Sequence, residues 1–214
     1  MFSRTESLKQ YIKWYPVTAV LICIHMVLVG LMEWVGSSQD TITLLQFGAL
    51  FDLPNLKPEA WRYFTAMFLH IGFAHLLFNC FALYVFAPPL ERLLGKWRYV
   101  LFYLVCGLLG NIVSALFHQD YFVSAGASGA IYGIYAAYLY LAIFRKDIID
   151  HQTKQIVLTI IGVGFIYSLV VPNIDIYAHL GGFLGGLITM ALIVLFIKRR
   201  NRKPVEDEQE IYRG

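Results

Sequence analysis

Charged residues are scarce in this sequence: 14% of its 214 residues, against 58% hydrophobic and a mean hydropathy of +0.62. Soluble domains carry about a quarter charged residues, so the composition excludes an ordinary soluble protein. Cysteine is equally sparse. Cys23, Cys80 and Cys106 all lie inside apolar runs, where a thiol behaves as a small hydrophobe. A disulfide framework is not expected, and no zinc-ligand spacing is present. No small-residue cleavage site follows the first apolar run, so "MFSRTESLKQYIKWYP" leads into an uncleaved first span rather than forming a signal peptide. Carboxylates are missing from the apolar runs: all fourteen Asp and Glu lie in loops, tails or span ends. That excludes aspartyl chemistry within the membrane. The chain also lacks an H-E-x-x-H zinc motif. No metal, other cofactor or nucleic-acid partner is expected.

What the chain has is apolar length. Six spans can be read, at about 16–36, 71–90, 97–117, 126–144, 154–172 and 177–197. The expected fold is an all-α polytopic membrane protein: an N-terminal segment 1–15, a membrane domain 16–197 and a solvated tail 198–214. The one long connection, 37–70, contains "LPNLKPEAWRYFTAMF". Its prolines argue against a span, and its aromatics suggest a loop lying in the membrane interface. Strands are not expected. Fifteen of the seventeen basic residues fall on one side of this arrangement, leaving Lys57 and Arg62 opposite. The positive-inside rule then puts both termini in the cytoplasm.

Polar residues within spans are costly and mark functional candidates, with helix packing as the plain alternative. Four stand out: His75 and Asn79 in "HLLFN", Ser128 in "GASG", and His179 in "AHLGGFLGG". Counted from the charged residues at the inner ends of their spans, Ser128 and His75 lie ~26 Å away and His179 ~29 Å, at 1.5 Å per residue. Asn79 is one turn deeper. Three different spans therefore bring polar groups to one level near the outer surface. A serine needs a base, which His179 can be. An acyl-transfer oxyanion needs donors, which a helix start at Ser128 and the His75–Asn79 face can supply. Gly126 and Gly129 would leave the backbone around Ser128 approachable, and Gly182 with Gly186 would let span six press against span four. The plain reading of each glycine pair is close helix packing alone. The soluble nucleophile elbow does not fit, since position 130 is Ala.

Together these motifs resemble the rhomboid family of intramembrane serine proteases, across all six spans and in the same order. The resemblance implies a six-helix rhomboid bundle, Ser128 as nucleophile, His179 as general base, and His75 with Asn79 at the oxyanion. It further implies that Tyr132 packs beside His179, that Trp61-Arg62 is the first-loop pair, and that His70 is the second histidine upstream. Glu91 and Gly95 match the residues after span two, although the basic residue sits at Arg92. No acid completes a triad, and Asp175 reads as an interfacial loop residue. The six-span form resembles bacterial members, which implies the bacterial plasma membrane as location. The partners would be transmembrane proteins and the bilayer itself. Two other classes compete: a small transporter or channel, for which paired halves and an in-membrane carboxylate are missing, and an inactive relative that binds client spans. Such relatives lose the serine or histidine, and both are kept here.

Overall fold

The computed structural model describes residues 1–118, 121–145, 147–172 and 174–202, with side chains through residue 200. Most of the expected tail therefore lies outside the described residues. Helix α1 (Leu8–Trp14) opens on a capping box between Ser7 and Gln10. Pro16 then starts α2 (Pro16–Val35), where its missing N–H costs nothing. Together with α5 (Gly72–Leu94), α6 (Lys96–Phe117), α8 (His151–Val170) and α9 (Ile176–Arg202), α2 makes five helices among the described residues that are long and apolar enough to cross a membrane. The sixth, α7 (Ser128–Phe144), is apolar but only 17 residues long. The protein has an all-α polytopic membrane fold.

Helix α7 is the centre of the bundle. Twelve of its 17 residues are buried, so it is apolar on every side, as a helix walled in by protein must be. Helix α9 packs extensively against both α6 and α7. Small residues allow it: a β-carbon on Gly182 would overlap the Gly129 carbonyl oxygen, and one on Gly186 the Gly133 carbonyl oxygen. On the α6 side, a β-carbon on Gly110 would lie 2.7 Å from the Ala178 carbonyl oxygen.

Two boundaries differ from expectation. The second span does not stop near Leu90 but continues to Leu94, through Pro88 and Pro89. Pro88 cannot donate to the Tyr84 carbonyl one turn back. The Tyr11 hydroxyl donates to that carbonyl instead, at 3.2 Å. A side chain thus satisfies the carbonyl that Pro88 leaves free. The sixth span likewise runs past 197 to Arg202. At the opposite end of α5 from His75, the buried Glu91 carboxylate accepts from Val17 N and Thr18 N, each at 2.9 Å. It also accepts from Thr18 Oγ1 at 2.7 Å, and so caps the start of α2 from another helix.

The connection 37–70 carries secondary structure of its own. It holds α3 (Thr41–Phe47), capped by Asp40 and ended by Gly48 at φ +101°. It also holds β1 (Leu50–Asp52), α4 (Arg62–Thr65) and a 3₁₀ turn, Ala66–Phe68. Strands therefore do exist. β1 pairs antiparallel with β2 (Phe122–Ser124), with Leu50 opposite Ser124. The physical reason is the accounting of backbone groups: where helices are interrupted beside a buried site, the freed N–H and C=O groups need partners.

Candidate active site

Arg62 holds the long connection together. Its Nη1 donates to Leu45 O at 2.7 Å and Ala49 O at 3.1 Å, and its guanidinium lies 4.5 Å from the Trp61 ring centroid. Its Nε donates to Glu59, whose carboxyl that bond holds below the usual range. The Trp61-Arg62 pair therefore braces the connection rather than reaching the candidate catalytic residues. What the connection supports is the segment before Ser128. The β1–β2 ladder ends at Ser124, and Gly126 N donates to Ala66 O at 2.9 Å.

Gly126 has φ +151°, a conformation that glycine adopts without penalty. A β-carbon there would lie 2.8 Å from His75 Cε1, 3.0 Å from His75 Nε2 and 3.6 Å from Ser128 Oγ. The imidazole and the hydroxyl thus face one another across a bare α-carbon. His75 Nδ1 accepts from the Ile71 backbone N–H at 3.4 Å, so the neutral ring carries its proton on Nε2, the nitrogen turned toward Gly126. Ser128 itself is the first residue of α7, where backbone N–H groups have no intrahelical partner.

His179 occupies the fourth position of α9, as His75 does in α5. Its ring stacks on Tyr132 at 4.1 Å and an interplanar angle of 10°. Its Nδ1 lies 2.7 Å from Ser168 Oγ on α8. Among the described residues no hydrogen bond joins His179 to Ser128. Such contacts are commonly long before substrate is bound. Ser128, His75 and His179 all lie near the starts of their helices, α7, α5 and α9.

The remaining expected residues fall less directly. Buried Asn79 uses one amide hydrogen on the His75 carbonyl, at 2.9 Å, one turn below the site. His70 is fully buried, with ring centroids 4.8 Å from His25 and 5.1 Å from His75. Burial, together with those two rings, holds His70 well below the usual histidine range. Neither of its ring nitrogens has a partner among the described residues.

Asp175 is not a free loop residue. Its carboxylate accepts from Ser114 Oγ at 2.5 Å, Ser124 Oγ at 2.7 Å and Ala178 N at 2.9 Å. It caps α9 and ties that helix to α6 and β2, because an N-terminal turn offers unsatisfied donors that a nearby carboxylate fills. Sequence reasoning also missed Ser168 and His25. Both are polar residues inside spans, and the rule that singled out Ser128 would have flagged them.

The Rhomboid domain family matches residues 57–196. YdcA, a rhomboid-type protein of Bacillus subtilis (strain 168), is 35% identical over 204 residues, covering 94% of this chain and all of YdcA. The rhomboid protease GluP of the same organism is 39% identical over 180 residues, which cover 83% of this chain but 35% of GluP. Rhomboid-type serine protease 2 of Emericella nidulans is 36% identical over 148 residues, 65% of this chain and 28% of that protein. With a serine at the head of a buried helix, glycine-paired to the helix that bears a histidine, with the family's domain over residues 57–196 and YdcA matched over 94% of the chain, the chain belongs to the rhomboid family of intramembrane serine proteases.

Proposed function

We propose that the chain cleaves transmembrane segments near the outer face of the bacterial plasma membrane by a Ser128–His179 dyad. The observation that carries this reading is the meeting of the His75 imidazole and the Ser128 hydroxyl over Gly126, which pairs a nucleophile with an oxyanion donor. The Gly129–Gly182 contact supports His179 as the base, because it draws the two helix starts together.

In this mechanism His179 takes the Ser128 proton as Oγ attacks the scissile carbonyl carbon. The tetrahedral oxyanion is met by His75 Nε2–H, by the free N–H groups at the start of α7 and by the second amide hydrogen of Asn79. Collapse breaks the C–N bond, and the imidazolium gives its proton to the departing amine. Water, activated by the same imidazole, then releases the acyl group. The positions of Ser128, His75 and His179 in the first turns of their helices support a shallow cut, and the basic-residue bias supports cytoplasmic termini.

A fluorophosphonate probe tests the assignment. It is expected to label the parental protein in liposomes and to leave Ser128→Ala and His179→Ala unlabelled. Cleavage of a transmembrane test substrate by Ser128→Ala at the parental rate would overturn it. An impermeant thiol reagent tests the orientation, reacting from outside with a cysteine placed at Asp120 and not with one placed at Lys96.

A further inference from the structure

We infer that Ser168 is the positioning residue of His179, selecting the tautomer in which Nε2 is free to act as the base. The inference rests on the reading of His179 as general base. It comes from the hydrogen-bond accounting around one hydroxyl.

Ser168 sits in the last turn of α8 and is 4% exposed. Its Oγ has three polar neighbours: Gly164 O at 2.8 Å, His179 Nδ1 at 2.7 Å and Tyr132 OH at 3.0 Å. A hydroxyl has one hydrogen and two lone pairs. The Gly164 carbonyl can only accept, and the Ser168 hydroxyl, in donor geometry to it at 2.8 Å, is assigned as its donor. Both lone pairs are then left for donors, the Tyr132 O–H and the His179 Nδ1–H. This assignment leaves none of the four groups unsatisfied, which is the normal condition of buried polar atoms.

The consequence for His179 is specific. With its proton on Nδ1, the neutral ring has a bare lone pair on Nε2. Tyr132 fixes the plane of the ring by stacking, and Ser168 fixes its rotation within that plane. A β-carbon on Gly164 would come within 2.7 Å of the Tyr132 hydroxyl, so the small residue one turn below Ser168 is what lets α8 reach both groups. The role matches that of the buried carboxylate in a serine-protease triad, which holds the histidine in the correct tautomer. Here a neutral hydroxyl does it, in a setting where an additional buried carboxylate would be costly. The partner also sits on α8, the span with the smallest buried share, 17%. The competing explanation is local: a helix serine bonding its own i−4 carbonyl and nothing more.

The test compares Ser168→Ala, Ser168→Thr and Tyr132→Phe with the parental protein in liposomes, with thermal unfolding as a check on folding. Ser168→Ala is expected to lower kcat for a transmembrane test substrate about 10- to 100-fold, the loss typical when the outer partner of a functional histidine is removed. KM should change little. Ser168→Thr, which keeps the hydroxyl, is expected to restore most of the rate, and Tyr132→Phe to lose less than Ser168→Ala.

Ring-nitrogen ¹⁵N shifts, with His179 assigned through His179→Ala, provide a readout independent of cleavage. The parental ring is expected to carry its proton on Nδ1, and the Ser168→Ala ring to move toward Nε2. Should Ser168→Ala fail to fold, the parental ring shifts and the Ser168→Thr rate decide. Parental kinetics in Ser168→Ala, or a parental ring protonated on Nε2, would overturn the inference. Cleavage by Ser128→Ala would instead overturn the dyad, while the ring shifts would still report on Ser168.

Discussion

Gly182 on α9 rests directly on the peptide of Gly129 on α7, so closely that a β-carbon would overlap the carbonyl oxygen. Gly129 follows Ser128, and Gly182 lies one turn after His179. A backbone-to-backbone contact therefore fixes the start of α9 against the start of α7, the two helix ends that carry His179 and Ser128. Backbone cannot swing aside as a side chain can.

Substituting that glycine should separate the two helices. Gly182→Ala is expected to cost about 1–3 kcal/mol of stability, the usual penalty of overpacking, and to remove most of the cleavage activity. Gly162 on α8 has nothing within 4 Å of a would-be β-carbon, so Gly162→Ala should unfold at the parental temperature or slightly above. Unfolding midpoints in detergent decide it. Equal midpoints for the two variants would show that the contact can relax.

The oxyanion residues should differ in weight. His75→Ala is expected to lower turnover ~10²–10³-fold, as loss of one oxyanion donor does. Asn79→Ala should lose less, because one of its amide hydrogens already serves the His75 carbonyl. In both variants a fluorophosphonate should still find Ser128, more slowly. Parental rates in both would return these residues to a packing role.

Asp175→Ala leaves the Ser114 and Ser124 hydroxyls and the Ala178 N–H without their acceptor. Loss of a cap alone costs about 1 kcal/mol, so the unfolding midpoint should fall. Asp175→Asn keeps an oxygen for Ala178 N and should fall less. Because His179 Nδ1 is occupied by Ser168, the Asn variant should retain most of its activity. Abolition of cleavage in a folded Asp175→Asn protein would instead give the carboxylate a direct part in catalysis.

Substrate selection should follow backbone availability. A helical span hides its carbonyls, so cleavage requires local unwinding into an extended segment. Test substrates with Gly-Ala, Ala-Ala or Leu-Leu in the outer turn should be cleaved in that order of rate. Gly costs a helix about 1 kcal/mol relative to Ala, which eases the unwinding. Cleavage of the Leu-Leu substrate as fast as Gly-Ala would show that unwinding does not limit the reaction.

Much of this was legible before any coordinates. The helices could be read because their apolar runs are long and the breaks between them are charged. Ser128, His75 and His179 could be read as one group because charge marks the inner end of each span, and residue counting then measures depth. Three things were not legible. The continuation of α5 through Pro88 depends on a hydroxyl from Tyr11, 73 residues away in sequence. The ladder between Leu50–Asp52 and Phe122–Ser124 is too short to leave a period in the sequence. The pairing of Ser168 with His179 is the third: the sequence shows a polar residue inside a span, but not that the fold brings a histidine 11 residues later against it.

The place of α9 in the chain bears on biogenesis. It leaves the ribosome after α6 and α7, and it carries both His179 and the glycines that pack against those two helices. Until it is inserted, the nascent protein has Ser128 without its proposed base and a central helix with one flank uncovered. Under the proposed dyad, proteolytic competence waits for the insertion of α9, and a translation product that terminates before that helix would be inert toward neighbouring proteins emerging from the same translocon.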